Sequence, residues 1–174
     1  MARAARDRFQ LDRVLFVPAA QPPHKSGLTY ADYEHRVRMA ELACAGEPRF
    51  EVSRLEEHTA RSYSIDTIEK VRPLLPANSD LFFLIGADAF AEIATWHRWK
   101  EVIQAVTFIV VSRPGCRYRI PEDARVEKLN GLDLPVSSSE IRKALAAGLH
   151  PAEVPAPVLA YIFEHGLYGA PVKV

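Results

Sequence analysis

The sequence predicts an α/β protein with a doubly wound, mainly parallel sheet. Three apolar runs carry that expectation: residues 13–19 (RVLFVPA), 80–86 (DLFFLIG) and 106–112 (VTFIVVS). Each is continuously apolar rather than alternating, as strands covered on both faces are. Segments of helical character separate them, and strands alternating with helices build sheets of this kind.

The elements follow in order. Residues 2–10 read as the end of a helix, and 13–19 as the first visible strand. Prolines and a glycine make 21–29 a loop. A helix is expected over 30–45, with Thr29 as candidate cap and Tyr33, Val37, Ala40 and Cys44 on one face. A short strand at 49–54 leads through a polar connection to a helix at 65–75, stopped around Pro73 and Pro76. Helical segments at 88–94 and 98–104 follow the strand 80–86. Arg113-Pro-Gly115 turns the chain after the strand 106–112. One more strand is expected near 125–129 or 132–136. A helix at 138–147 stops at Gly148, and a last one runs from Pro155 to about 165, ending at Gly166.

At about 150 residues per domain, 174 residues make one domain. Apolar residues are 48% and charged residues 25%, which is enough apolar side chain to exclude disorder. The longest apolar runs fall far short of the roughly 20 residues that cross a bilayer. Twenty-two basic residues cancel 22 acidic ones, so net charge makes no case for nucleic acid or an anionic membrane. Cys44 and Cys116 have no metal-like spacing and are expected as free thiols in a reducing cytosol. The N-terminus lacks the apolar stretch of a signal peptide.

Ligands in open parallel sheets bind at the carboxyl ends of the strands. Several residues expected there carry chemistry. Ser137, Ser138 and Ser139 precede a helix, with Arg142 one turn in. Free N–H groups, hydroxyls and a guanidinium together suit a polyphosphate. Alternatively, Ser137 and Glu140 have the spacing of a capping box. His24 and Lys25 leave the first strand on a proline-stiffened loop, and suit a phosphate or a solvated tip. Gly86 ends a strand and allows close approach to the backbone. Asp88 then either caps the next helix or accepts from ribose hydroxyls. Trp96 falls in a break between helices, where its ring can offer a stacking face, while Trp99 fits the core and Arg98 is expected in solvent. Ser62 or Ser64 is expected to cap the helix at 65–75, whose N–H groups suit a carboxylate. Arg113 suits a phosphate monoester or the open surface. The remaining histidines show no metal-site spacing.

The order of these pieces is more specific than any one of them. LDRVLFVPAAQPPHK (11–25), HRVRMAELA (35–43), SYSIDTI (62–68), FLIGADAF (83–90), TWHRW (95–99), SRPG (112–115), VSSSEIR (136–142) and HGLY (165–168) span essentially the whole chain. In that order the chain resembles bacterial nicotinate-nucleotide adenylyltransferases. The resemblance implies a Rossmann-like nucleotidyltransferase fold in a cytoplasmic enzyme of NAD biosynthesis. It implies adenylyl transfer from ATP, accompanied by Mg2+, to nicotinate mononucleotide, with pyrophosphate released. It implies ATP phosphates on His24, Lys25, Ser137, Ser138, Ser139 and Arg142, and nucleosides against Gly86 and Asp88. Nicotinate mononucleotide would meet Ser64, Ile65, Trp96, His97 and Arg113: Trp96 on the pyridine, backbone N–H groups near Ile65 and His97 on the carboxylate, Arg113 on the phosphate. No partner beyond these nucleotides is implied, neither nucleic acid nor membrane, and a homo-oligomer is left open.

The family opens with a strand and a GGTFDPxHxGH-type loop. Here that segment is absent, and Met1–Gln10 looks like the latter half of the helix that follows it. The resemblance therefore implies a single nucleotidyltransferase domain, 1–174, that is N-terminally incomplete and lacks the first strand. The histidines that stabilise the α-phosphate lie in the absent segment, so no catalytic residue is assigned. Two other functions compete with adenylyl transfer to nicotinate mononucleotide. One is a non-catalytic nucleotide-binding remnant. The other is a sister nucleotidyltransferase acting on another phosphate monoester, such as phosphopantetheine, which Trp96 and the SYS segment disfavour.

Overall fold

A computed structural model describes residues 1–21, 31–112, 118–131 and 137–172. The described residues alternate strands and helices as expected, and divide into two compact units, Met1–Val14 with Arg61–Leu134, and Leu15–Ala60 with Pro135–Val174.

The first unit is built on a parallel sheet, β3 (Phe82–Gly86), β4 (Thr107–Val111) and β5 (Arg125–Leu129), in that order. Its central strand β4 is buried from Phe108 to Val111, which is why its sequence is apolar without alternation. One face packs Phe108 and Val110 against Phe90, Val102, Ile103, Ile65 and Ile68. The other packs Ile109, Val111 and Leu129 against Ala5 of α1 (Ala2–Arg8). Around the first face lie α3 (Ser64–Val71), α4 (Ala87–Ala91) and α5 (Trp99–Ala105).

The second unit holds α2 (Tyr33–Cys44), α6 (Ser138–Ala146) and α7 (Ala156–Glu164). Its core is Leu145, Val158, Ile162 and Phe163, with Met39 and Leu42 packed against it. Here β2 (Phe50–Val52) lies beside β1 (Val14–Phe16), with the rings of Phe16 and Phe50 5.2 Å apart.

Several expectations need correction. The fold class stands, with the described strands grouped as a pair and a parallel triplet. The strand expected over 13–19 keeps only Val14–Phe16, since Pro18 has no N–H for a ladder. The second helix begins at Tyr33 behind Asp32, without a side-chain cap bond from Asp32; Thr29 lies outside the described residues. The helix at 65–75 stops at Val71 and tightens into a 3-10 turn, Arg72–Leu74, because Pro73 cannot continue the ladder. The strand placed near 125–129 or 132–136 is at Arg125–Leu129; 132–136 lie outside the described residues. Cys44 is buried and free, whereas Cys116 lies outside the described residues.

Candidate functional site

In the first unit, β3 delivers Gly86 to its carboxyl end, where it is the N-cap of α4. Its φ of −74° is open to any residue. A β-carbon built there meets nothing within 4 Å among the described residues. Neither the backbone nor the protein's own packing requires glycine at this point, so the residue leaves open space over a strand end. Asp88 is exposed in the first turn of α4.

Trp96 follows a 3-10 turn, Ile93–Thr95, and is half-buried. Its ring stands edge-on to Phe83 of β3 at 5.8 Å, and it packs against the main core of the unit. Trp99 packs on the same core from α5. Between them, His97 is exposed, and its ring stacks on Tyr63 at 4.3 Å. Tyr63 is the N-cap of α3, and its hydroxyl accepts from Arg61 at 3.2 Å. Tyr63 itself makes no side-chain cap bond, and Ser64 is the first residue inside the helix rather than its cap. The first backbone bond of the helix runs from Thr67 N to Tyr63 O. The N–H groups of Ser64 and Ile65 precede that bond and have no acceptor among the described residues; nor has the N–H of His97. The Ile65 side chain is 2% exposed and belongs to the core, so only its backbone is open to a ligand. The unit thus brings Ser64, Ile65, Trp96 and His97 together, with unpaired N–H donors on both sides of the Tyr63–His97 stack.

Arg98 adds most to the sequence reading. It is exposed, as expected, and it also bonds Glu69 and Glu101 at 2.6 Å each and lies 3.6 Å from Asp66. These bonds hold the Glu101 carboxyl below its ordinary range.

In the second unit, Ser137 is the N-cap of α6. Its hydroxyl accepts from Glu140 N at 3.1 Å, and the Glu140 carboxylate accepts from Ser137 N at 3.2 Å. The capping box is therefore formed. Ser138 and Ser139 are exposed in the first turn, ahead of the first helical bond, from Ile141 N to Ser137 O. Arg142 donates to the Ser139 hydroxyl at 3.3 Å, so its guanidinium lies at this helix start. His24, Lys25 and Arg113 lie outside the described residues.

One contributor escaped the sequence reading entirely. Arg36 of α2 donates to the carbonyls of Ala19, Ala20 (3.2 Å) and Ala31 (3.1 Å), and buried Glu56 accepts from Ala20 N at 3.3 Å. These bonds tie residues 19–20 to 31, the two flanks of the segment that contains His24 and Lys25. No spacing in the sequence announces them, because every acceptor but one is a backbone carbonyl.

Among the described residues, no group of three or more His, Cys, Asp or Glu could hold a metal, and no helix is long and apolar enough to cross a membrane.

Comparison with known proteins follows the same lines. A family model described as cytidylyltransferase-like matches residues 1–144. The fold is that of a solved Plasmodium falciparum nicotinic acid mononucleotide adenylyltransferase complexed with NaAD. The TM-score is 0.73 at 20% identity, over 94% of this chain and 85% of that one. Fold and family model together define a nucleotidyltransferase. The probable nicotinate-nucleotide adenylyltransferase of Solibacter usitatus is 64% identical over 167 residues, 96% of this chain and 89% of that protein. The Thermus thermophilus protein of the same name is 42% identical over 170 residues, again 96% and 89%. The chain belongs to the nicotinate-nucleotide adenylyltransferase family of enzymes.

Proposed function

We propose that the protein transfers the adenylyl group of ATP to nicotinate mononucleotide, giving nicotinate adenine dinucleotide and pyrophosphate in the cytoplasmic synthesis of NAD, with 1–174 as a single nucleotidyltransferase domain. The observation that carries this reading is the cluster in the first unit. Unpaired N–H groups at Ser64, Ile65 and His97 suit a carboxylate, a half-buried tryptophan beside them suits an aromatic ring, and Gly86 leaves a strand end open to a nucleoside. The names of the close relatives support the same substrate.

In this reading Trp96 stacks on the pyridine, and the three N–H groups take the nicotinate carboxylate. Asp88 accepts from ribose hydroxyls. Arg142 and the first-turn N–H groups of Ser138 and Ser139 take the ATP phosphates, while Ser137 fixes the helix start through its capping box. His24 and Lys25 are assigned to the same phosphates, and Arg113 to the mononucleotide phosphate. Mg2+ enters with ATP as part of the substrate. An oxygen of the mononucleotide phosphate bonds to the α-phosphorus as the bond from that phosphorus to the β-phosphate oxygen breaks. The attacking oxygen is already ionised at neutral pH, so no side chain is needed as nucleophile or base. The protein contributes alignment and charge stabilisation.

Pyrophosphate release is the test, with ATP and either nicotinate mononucleotide or phosphopantetheine, paired with calorimetric titration of each. Release with nicotinate mononucleotide is expected. Binding without release would mark a nucleotide-binding module, and preference for phosphopantetheine a sister transferase. Gly86→Ala sharpens the same point. The fold should tolerate it, with melting unchanged or slightly raised, while nucleotide binding weakens because the methyl occupies the open space.

A further inference from the structure

Arg98 has a left-handed backbone, φ 51° and ψ 38°, which a residue other than glycine holds only when its surroundings impose it. The surroundings here are three carboxylates. Glu101 lies on α5, the helix that Arg98 itself precedes, and Asp66 and Glu69 lie on α3. A lone exposed ion pair would hold little. This guanidinium instead uses its planar fork to join two helices, with Nη1 and Nη2 both bonded to Glu69. The residues just before it are Trp96 and His97, and His97 stacks on the N-cap of the same α3. Two independent contacts, one ionic and one aromatic, therefore hold segment 96–98 to the opening of that helix.

We infer that Arg98, with Glu69 and Glu101, is a positioning residue that holds Trp96 and His97 beside the first turn of α3, and so sets the spacing between the N–H donors that select a pyridine carboxylate. The inference rests on the substrate reading above only for the identity of the ligand. Arg98 itself touches no substrate in this arrangement.

Arg98→Gly and Glu69→Gln test it. Glycine accepts the left-handed backbone without strain, so Arg98→Gly removes the clamp and leaves the turn. Without ligand, the His97 ring protons should lose the upfield shift that Tyr63 imposes, in both variants. With ligand, affinity for nicotinate mononucleotide should fall roughly tenfold or more, as misplacement of a recognition group costs. Affinity for ATP should stay within about twofold, as for independent sites. Unchanged His97 resonances in folded variants overturn the proposal, as does unchanged affinity for nicotinate mononucleotide, or an equal loss for ATP. If the unaltered protein binds no nicotinate mononucleotide, the substrate reading fails, and the His97 resonances alone decide whether the clamp holds the segment. Glu69→Gln leaves the Arg98 side chain in place, so it gives the same reading if Arg98→Gly does not fold.

Discussion

Two serine-rich helix starts, Ser62-Tyr-Ser64 before α3 and Ser137-Ser-Ser139 before α6, look alike in sequence and are built differently. At α6 the serine three residues ahead of a glutamate closes a capping box, which satisfies the N–H groups of Ser137 and Glu140 from within the helix. At α3 the N-cap Tyr63 makes no side-chain cap bond; its ring stacks on His97, and the Arg98 clamp follows, both supplied from beyond β3 in the chain. A helix start held by its own side chains is a stable local feature. One flanked by a distant segment has a geometry that depends on that segment. In the proposed reading α6 is the phosphate end, where Arg142 supplies charge, and α3 the carboxylate end, where N–H donors alone meet the ligand.

Breaking the distant side of the comparison should give the largest effect. Trp96→Ala is expected to weaken nicotinate mononucleotide binding by about 1–3 kcal/mol, as loss of base–aromatic stacking does. Calorimetric titration checks it, and unchanged affinity removes Trp96 from the site. The two serines should then separate in a stability measurement. Ser137→Ala loses a formed cap and should cost about 1 kcal/mol of unfolding free energy, whereas Ser64→Ala loses no cap and should stay within about 0.5 kcal/mol. Equal effects in denaturant unfolding would erase the distinction. The smallest effect is electrostatic. Because Glu101 is held below its ordinary value, its contribution is complete above the unfolded carboxylate range and is lost only as pH falls through the lowered value. The melting difference between the protein and Glu101→Gln should therefore be flat from about pH 8 to 5 and shrink below about pH 4.

The same contrast explains what the sequence made legible. Strands β3 and β4 were readable because burial on both faces makes a strand apolar throughout, whereas β5 carries Arg125, Glu127 and Lys128 and shows no such run. The α6 cap was readable because its partners stand three residues apart. The Trp96 break was readable from helical spacing on either side. Arg98 was not, since its partner Glu69 lies 29 residues away and its left-handed backbone has no mark in the side-chain pattern. Nor was Arg36, whose acceptors are main-chain carbonyls that every residue possesses. The family resemblance supplied the roles of the site residues; the structure supplied the unpaired donors at Ser64, Ile65 and His97.

Those donors carry the central claim, and a paired titration tests it most directly. Nicotinate mononucleotide and nicotinamide mononucleotide differ in the group that would meet the N–H donors, a carboxylate in one and a neutral amide in the other. Bonds to a charged acceptor are worth more than bonds to a neutral one, so the acid is expected to bind more tightly than the amide. Equal affinity, or tighter binding of the amide, would contradict a carboxylate site at the start of α3.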